Sequence, residues 1–317
     1  MDARTEFRDF LTSRRARITP EKAGLSGGSG GGGSAGGAGG HGSRRVAGLR
    51  REEVALLAGV SADYYIKLER GNARGVSDSV LEALARALHL DEAERAHLFH
   101  LADAVNTGTR TPARTPKPAV RPTVQRILDS MSTAPAYVRN RRLDILAANR
   151  LGRALLAPIL ATPTSATTNL VAPRRPPNVA RFMFLDPAAA DYYLDWDRMA
   201  AGTVAILRAE AGRDPYDKPL TELVGELSTR SDHFRTAWAA HNVLVHRTGV
   251  KRIHHPVVGD LTLAYEALEL PADTGLTMMA YTAEPASPSF DALNLLAGWA
   301  TTELAEPMEP TESPARA

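Results

Sequence analysis

The chain has 317 residues, of which 44% are hydrophobic and 23% are charged, a mixture typical of globular proteins. At roughly 100–200 residues per domain, this length predicts about two domains. Cysteine is absent, which excludes disulfide bonds, thiolate catalysis and cysteine-ligated metal sites. The sequence has no run of about 18 apolar residues that could cross a membrane, and its charged N-terminus lacks the apolar segment of a signal peptide. We therefore expect a cytoplasmic protein.

Charge is distributed unevenly along the chain. Residues 1–122 contain 19 basic and 14 acidic residues, whereas residues 123–317 contain 19 basic and 22 acidic residues. A basic first part beside a mildly acidic second part indicates that only the first part binds a polyanion.

Four segments of biased composition divide the chain. The first holds 12 of the 25 glycines, and the second combines four prolines with four basic residues, so both are typical of flexible connections. The segments are a glycine-rich loop (24–45), a linker (106–122), a proline-rich loop (161–178) and a C-terminal tail (305–317). They delimit two predicted domains, 1–105 and 123–304. Because the linker has no periodic apolar face, we expect these domains to fold separately.

Helical periodicity predicts five short helices in the first domain. The predicted helices cover about 3–17, 51–58 and 62–70, a segment capped by Ser77, and a segment that begins with a capping box of Asp91 and Glu94.

The second and third of these helices have the pattern of a helix-turn-helix in the segment REEVALLAGVSADYYIKLERG. Such a motif needs a small residue where its helices cross, which Ala55 provides, and a sharp turn, which Gly59 provides. Ser61 is a natural N-cap for the second helix. The apolar residues that would fix the second helix against the first are Val54, Val60, Tyr65 and Leu68.

This segment resembles the helix-turn-helix of the phage-repressor (Xre/Cro-like) family, down to the Leu-Glu-Arg-Gly ending at residues 68–71. The longer string GLRREEVALLAGVSADYYIKLERG, followed by SVLEALARALHLDEAERAHLFHLA, is similar to one branch, the actinobacterial MmyB-like regulators. The resemblance covers nearly all of residues 1–105 apart from the glycine-rich insertion. It implies a five-helix, lambda-repressor-like domain that binds a double-stranded DNA operator.

In such a domain the second helix lies in the major groove, with its first residues at the base edges. Ala62 could contact a thymine methyl group, and Lys67 suits phosphate or guanine. Asp63 could accept a hydrogen bond from cytosine or could simply stabilise the helix dipole. Phage repressors usually have glutamine at the position of Arg51, which leaves a base-supporting role there open. The candidate DNA-binding residues are Arg50, Arg51, Ser61, Ala62, Asp63, Tyr64, Lys67, Arg70, Asn72 and Arg74.

The second domain alternates strand and helix patterns. It starts with a predicted hairpin, continues with a helical middle and ends with a three-stranded meander and a last helix. This order predicts an α+β domain with a five-stranded antiparallel sheet, as in PAS-type sensors. The predicted hairpin covers 136–139 and 143–148, the meander covers 251–257, 261–270 and 276–283, and the last helix covers 289–303.

Several strings here resemble the MmyB-like ligand-binding domain, among them PAYVRNRRLDILAANR, ELSTRSDHFRTAWAAHNV and GVKRIHHPVVGDL. The resemblance covers most of residues 123–300. It implies a PAS-like fold around an apolar pocket, which in relatives holds a fatty-acid-type ligand. The candidate ligand-binding residues, which a PAS sheet and its covering helices would turn inward, are Tyr137, Ile145, Leu207, Trp238, His241 and Tyr281. Trp238 and His241 match a family motif and could line the pocket or only stabilise the fold.

The histidines of the second domain raise the alternative of an enzyme. His241, His246, His254 and His255 could suggest a metal site, but no metal-binding motif with a carboxylate occurs. His254 and His255 would also point to opposite faces of a strand. This domain lacks the GxSxG elbow of hydrolases. We therefore expect no enzymatic activity, no metal and no cofactor.

Together these features predict a transcription regulator whose first domain binds DNA and whose second domain senses a small apolar, fatty-acid-like ligand. We expect a homodimer without a membrane partner, because one recognition helix buries too little surface for specific DNA binding. Two alternatives stay open. The second domain could be only a dimerisation platform, or it could be an enzyme that the first domain tethers to DNA.

Overall fold

The structure, a computed structural model, describes residues 2–25, 48–107, 120–161, 175–242 and 248–303. Most of the glycine-rich loop, of the linker and of the proline-rich loop lies outside these residues, as do the C-terminal tail and His246. In the described ranges, no helix is both long and apolar enough to cross a membrane.

The chain forms two compact units. The first combines Met1–Arg114 with Val204–Val245, and the second combines Thr115–Thr203 with His246–Ala317. These units do not follow the boundaries predicted from composition, because residues 204–245 group with the N-terminal helices.

The first unit begins with the five predicted helices, which confirms the helical N-terminal fold. They are α1 (Ala3–Arg17), α2 (Arg51–Ala58), α3 (Ala62–Glu69), α4 (Asp78–Ala87) and α5 (Glu92–Thr107). The predicted capping box precedes α5, where the Glu94 N–H donates to Asp91 Oδ1 at 2.8 Å and the Asp91 N–H donates to Glu94 Oε2 at 3.3 Å.

The apolar faces of these helices meet in one core. Phe7 of α1 and Tyr65 of α3 are completely buried there, because α1 packs on α3 and α5 while α2 packs on α3 and α4. The chain leaves α3 at Gly71, whose φ is +84° and whose Cβ would lie 2.5 Å from the carbonyl oxygen of Arg4. Only glycine allows this conformation so close to α1.

The second unit contains a five-stranded antiparallel sheet, as predicted. Its strands are β1 (Ala136–Asn140), β2 (Ile145–Ala148), β3 (Thr248–His255), β4 (Gly259–Glu269) and β5 (Leu276–Thr282). Their order across the sheet is β2-β1-β5-β4-β3. The hairpin and the meander predicted from the sequence therefore join through the pairing of β1 with β5.

Helices complete both units. The helices after α5 are α6 (Pro122–Ser130), α7 (Arg150–Leu155), α8 (Ala157–Ala161), α9 (Val179–Leu185), α10 (Ala188–Tyr192), α11 (Trp196–Arg213), α12 (Lys218–Arg230), α13 (Asp232–Ala239) and α14 (Pro288–Glu303). As predicted, Asn149 caps α7, and its side-chain oxygen accepts from the Gly152 N–H at 2.7 Å. The same oxygen accepts from the Ala136 N–H at 3.0 Å, which ties α7 to the start of β1.

The sheet has two faces, because side chains alternate along each strand. One face carries Val138 and Met278 and packs against Val124 and Leu128 of α6. The other face, which we call the inner face, carries Tyr137 and the residues in register with it on the neighbouring strands. The helices α7, α10 and α14 pack on the sheet, and α7 reaches the inner face where the carbonyl of Ala154 lies 3.0 Å from His255 Nε2.

Residues 204–245 contribute the end of α11, α12 and α13 to the first unit. Arg208 of α11 is 1% exposed, and its Nη1 donates to Glu6 Oε2 of α1 at 2.8 Å and to His241 Nδ1 at 2.9 Å. Its Nη2 donates to the carbonyl of Trp238, and its guanidinium lies 4.0 Å from the centre of the Trp238 ring. We call Arg208, Glu6, Trp238 and His241 the arginine cluster.

The arginine cluster explains why the compact units differ from the predicted domains. A buried charge is tolerated only when it is paired and hydrogen-bonded, so Arg208 requires Glu6 of the N-terminal helix α1. Arg14 of α1 adds a second link, since its Nη2 donates to the carbonyl of His241. Residues 204–245 therefore belong to the first compact unit although they lie within the predicted domain 123–304, and separate folding of the two domains stays a prediction.

His97 of α5 lies close to the same helix. Its side chain is buried, its ring meets the Phe10 ring edge-on at 5.1 Å, and a Cβ at Gly212 of α11 would overlap it. Burial and, next, the positive charge of Arg208 lower the pKa of His97 to about 3. His97 is therefore neutral in the folded protein at neutral pH.

We predict that the first unit loses stability as the pH falls from about 6.5, the ordinary pKa of histidine, towards about 3, the pKa of folded His97. In this window the unfolded chain binds a proton at His97 that the folded chain excludes, so acid favours unfolding. The free energy of unfolding, measured by urea titration at a series of pH values, should fall less steeply for His97→Gln than for the wild type.

His233→Gln, which removes an exposed histidine of α13, is the control and should keep the wild-type pH dependence. If the free energy of unfolding depends on pH equally in the wild type and in His97→Gln, the loss of stability in acid does not come from His97.

Candidate DNA-binding and ligand-binding sites

The helices α2 and α3 form the predicted helix-turn-helix. Gly59 adopts a left-handed conformation with φ of +67°, and the Val60 N–H donates to the carbonyl of Ala55 at 2.9 Å, which closes α2. Ser61 then caps α3, because its Oγ accepts from the Tyr64 N–H at 3.1 Å. The turn residues therefore act as the sequence predicts.

A buried carboxylate holds the motif on the rest of the domain. Glu69, at the end of α3, is 4% exposed and accepts from Arg15 Nε of α1 at 2.5 Å and from Arg51 Nε of α2. The Tyr65 hydroxyl donates to the same carboxylate at 3.4 Å. Glu69 thus joins three helices, and its attraction raises the pKa of Arg51.

The outward side of the motif carries cations without ion pairs. Arg50, Lys67, Arg70 and Arg74 are exposed, and among the described residues none of them has a salt-bridge partner. Some exposed arginines elsewhere in the first unit pair with acids, for example Arg230 with Glu226 at 3.4 Å, whereas Arg4 and Arg86 are exposed without a salt-bridge partner among the described residues. Unpaired surface cations around one helix are the pattern expected of a phosphate-binding surface.

The remaining candidate DNA-binding residues differ in exposure. Asp63 and Asn72 are exposed, whereas Ala62 and Tyr64 are half-buried and pack against the core of the first unit. Arg51 is exposed over about half of its side chain (54%) but is held by Glu69. The ion pair with Glu69 is therefore enough to explain the position of the Arg51 side chain in the absence of DNA. A contact between Arg51 and DNA would be a second role of this residue.

Three of the candidate ligand-binding residues lie together in the second unit. Tyr137 of β1 and Tyr281 of β5 are buried on the inner face, and their rings stack at 6.2 Å. Ile145 of β2 is also buried, at the position that pairs with Arg139 of β1. Burial raises the pKa of Tyr281 to about 12.

The other three candidate ligand-binding residues lie in the first unit. Leu207 is completely buried, and Trp238 and His241 belong to the arginine cluster. Burial and, next, the positive charge of Arg208 lower the pKa of His241 to about 4, so its neutral ring accepts the Arg208 hydrogen bond. Trp238 and His241 both contact Arg208 in the structure, and their role in ligand binding stays a prediction.

The sequence analysis missed further aromatic residues of the second unit. Tyr265 of β4 is buried 6.1 Å from the Tyr281 ring, and Tyr192 and Tyr193 are buried with their rings 4.9 Å apart. Tyr193 also pairs through its backbone with Ile253 of β3. The signal for Tyr265 was the alternation of apolar residues in β4, which predicts that Tyr265 shares a face with Leu263.

No group of three or more potential metal ligands occurs in the part of the chain that the structure describes. His254 is exposed and lies 2.6 Å from Asp260, whereas His255 is buried against α7. The two side chains therefore point to opposite faces of β3, as the strand pattern predicts.

Comparison with known families agrees with this architecture. Residues 41–98 match the helix-turn-helix domain, and residues 120–296 match the family described as the MmyB-like transcription regulator ligand binding domain. No curated protein matches the chain. A helix-turn-helix followed by a regulator's ligand-binding domain defines a ligand-responsive, DNA-binding transcription regulator rather than an enzyme. Because the second match covers more than half of the chain, the chain belongs to the MmyB-like transcription regulators.

We predict that Glu69→Gln destabilises the protein. The neutral amide leaves Arg15 and Arg51 without their shared carboxylate, and losing a partner of buried, charged hydrogen bonds costs about 1–3 kcal/mol. The midpoint of urea unfolding should therefore fall. Glu52→Gln is the control, because Glu52 is an exposed acid of α2, and this variant should unfold like the wild type. An unchanged midpoint in Glu69→Gln would show that the carboxylate does not hold the three helices.

Proposed function

We propose that this regulator is a cytoplasmic homodimer that binds a specific DNA operator through α3 and responds to a small apolar, fatty-acid-like ligand in a PAS-like C-terminal domain. In this proposal residues 1–105 form the DNA-binding module and residues 123–304 form the ligand-binding module. The family matches at 41–98 and 120–296 support this division along the sequence.

The main support for DNA binding is the set of exposed, unpaired cations around α3. A recognition helix enters the major groove by its N-terminal residues, and basic residues beside it bind the phosphates. In this assignment Ala62 and Asp63 face the bases, because they begin α3 next to its Ser61 cap. Arg50, Arg70, Asn72 and Arg74 are exposed before and after α3, where they would bind phosphates.

We expect a dimer because the surface that a single helix-turn-helix can bury on DNA is small. One helix-turn-helix buries less surface than specific recognition at physiological salt requires, and dimers of this motif place two recognition helices one helical turn of DNA apart. We therefore expect an operator with two half-sites.

The aromatic inner face supports an apolar ligand. Ligand sites are lined mainly by hydrophobic and aromatic side chains with a few polar groups. The stacked pair of Tyr137 and Tyr281, together with Tyr265, provides such a surface within the matched ligand-binding domain. In the alternative proposal, the same domain binds no ligand and serves only as a dimerisation platform.

We predict a strong salt dependence of DNA binding. If a dimer neutralises about 6–10 phosphates, its affinity should fall by about 10³–10⁵ between about 50 and 200 mM salt. Fluorescence anisotropy with a duplex enriched from genomic DNA by the full-length protein measures this slope. Lys67→Gln should reduce the slope by about one per protomer, because one phosphate contact is lost.

Arg230→Gln removes a cation that is paired with Glu226, and it should keep the wild-type slope. A slope near zero for the wild type would rule out the DNA-binding surface. If the salt dependence of DNA binding has the same slope in Lys67→Gln and in the wild type, Lys67 does not belong to the DNA-binding surface.

We predict that the full-length protein binds acyl chains with an affinity that rises with chain length. Each buried methylene contributes about 0.8 kcal/mol, so the affinity should increase about fourfold per methylene until the site is full. Calorimetry with a homologous series of fatty acids measures this trend. Met279→Trp, on the inner face opposite Tyr137, should abolish binding by filling the site.

Met278→Trp is the matched control, because Met278 is equally buried but faces α6 on the other side of the sheet. If no chain of any length binds the folded wild type, the dimerisation platform replaces the ligand sensor.

A further inference from the structure

Three arginine side chains of the first unit hold the C-terminal end of α13. We call residues 238–241 the α13 end. Cations are favourable at this end of a helix, because its last carbonyls and the helix dipole present negative charge. The three hydrogen bonds run from Arg208 of α11 to the carbonyl of Trp238, from Arg17 of α1 to that of Ala240 at 3.4 Å, and from Arg14 of α1 to that of His241.

Few apolar contacts hold α13 in its place. Among the eight residues of this helix, only Phe234 is buried, and the half-buried Trp238 stacks on its ring at 5.5 Å. The preceding helix α12 buries four apolar side chains. Segments with little apolar burial open locally at a low cost in free energy. The docking of the α13 end therefore depends mainly on its bonds to the three arginines.

The docked arrangement also carries costs. His241 has a left-handed conformation with φ of +52°, which is unfavourable for residues with a side chain. Arg14 and Arg208 are 2% and 1% exposed, and in the described part of the chain Arg14 Nη1 and Arg208 Nε find no hydrogen-bond acceptor. A buried donor without an acceptor is destabilising. These costs offset part of what the arginine bonds contribute.

The helix that receives the α13 end also supports α3. Arg15 directly follows Arg14 in α1, and its Nε donates to Glu69 Oε1 of α3 at 2.5 Å. The helices α1 and α3 also pack on each other. Arg14 and Arg15 therefore connect α1 to the α13 end and to α3 at neighbouring positions, and a shift of α1 changes both contacts.

We propose that the α13 end is a releasable contact that regulates DNA binding. When it is docked on the three arginines, it fixes α1 in the position that supports α3, and its release weakens DNA binding. Both states are populated, because the costs of docking offset the arginine bonds. The chain continues from the α13 end to β3, so a change in β3 reaches this contact through the backbone. This inference rests on the proposed DNA binding and goes beyond it, since it gives a regulatory role to residues within the ligand-binding family match.

The first test measures amide hydrogen exchange by mass spectrometry in the full-length protein, with and without the duplex enriched from genomic DNA. If release weakens DNA binding, DNA binding must disfavour release by the same factor. The amides of the α13 end should therefore exchange about fivefold or more slowly in the complex, the lower end of typical coupling factors. The helix α12 is the internal control and should exchange at the same rate with and without DNA, because its own apolar side chains hold it.

The second test uses Arg14→Met, which removes one of the three arginines and keeps a long side chain at the buried position. The amides of the α13 end should exchange about tenfold to a hundredfold faster, because a hydrogen bond from a charged donor is lost. The DNA affinity should fall while the salt dependence keeps its wild-type slope, since the buried Arg14 binds no phosphate. Arg8→Met is the matched control for exchange, because Arg8 is an exposed arginine of the same helix that pairs with Asp9 at 2.8 Å.

If Arg14→Met does not fold, Arg17→Met takes its place. Arg17 is exposed and its bond to the α13 end is 3.4 Å long, so exchange should rise by about twofold to tenfold. Exchange at the α13 end that is the same with and without bound DNA would overturn the regulatory contact and leave DNA binding intact. Faster exchange in the variant without a loss of DNA affinity would overturn it as well. If the wild type binds no duplex, the proposed DNA binding fails together with its regulation.

Discussion

A buried guanidinium determines how the first unit is assembled. Arg208 has almost no contact with solvent, so its charge must be compensated by groups of the protein. The compensation comes from the Glu6 carboxylate of α1 and from the end of α13, through the Trp238 carbonyl and the His241 ring. The helices that carry these groups cannot separate without exposing an unpaired charge.

This constraint connects the region that matches the ligand-binding family with a helix, α1, that lies outside both family matches. Arg208, Trp238 and His241 lie within the region that matches the ligand-binding family, whereas Glu6 belongs to the N-terminal helices. The unit that presents α3 therefore contains part of the chain that the comparison assigns to ligand binding. In this protein the boundaries of the family matches do not coincide with the boundaries of the compact units.

The local structure was largely predictable from the sequence. The bounds of α1 and α2, the left-handed turn at Gly59 and the caps at Ser61 and Asn149 all depend on residues within a few positions of each other. Such short-range rules also predicted the strands of the hairpin and the meander. The helix α6 was missed although Pro122 at its start and the apolar pair of Val124 and Leu128 were visible, because the segment is short and directly follows the linker.

The candidate sites were predictable only where burial follows a periodic pattern. The exposed face of α3 and the inward positions of Tyr137 and Tyr281 follow from helix and strand geometry. The partners of Trp238 and His241 do not, because Arg208 and Glu6 are 202 positions apart and no local rule relates them.

The contact between Arg51 and Glu69 has a consequence for the energetics of DNA recognition. A free arginine side chain has about 2 kcal/mol of rotamer entropy, which a protein normally loses when the side chain meets DNA. Arg51 is already fixed by a buried carboxylate, yet about half of its surface faces solvent (54%). Its orientational freedom is therefore given up during folding rather than during complex formation. In the proposed complex with DNA, the Arg51 charge would therefore keep the orientation that Glu69 gives it in the unbound protein.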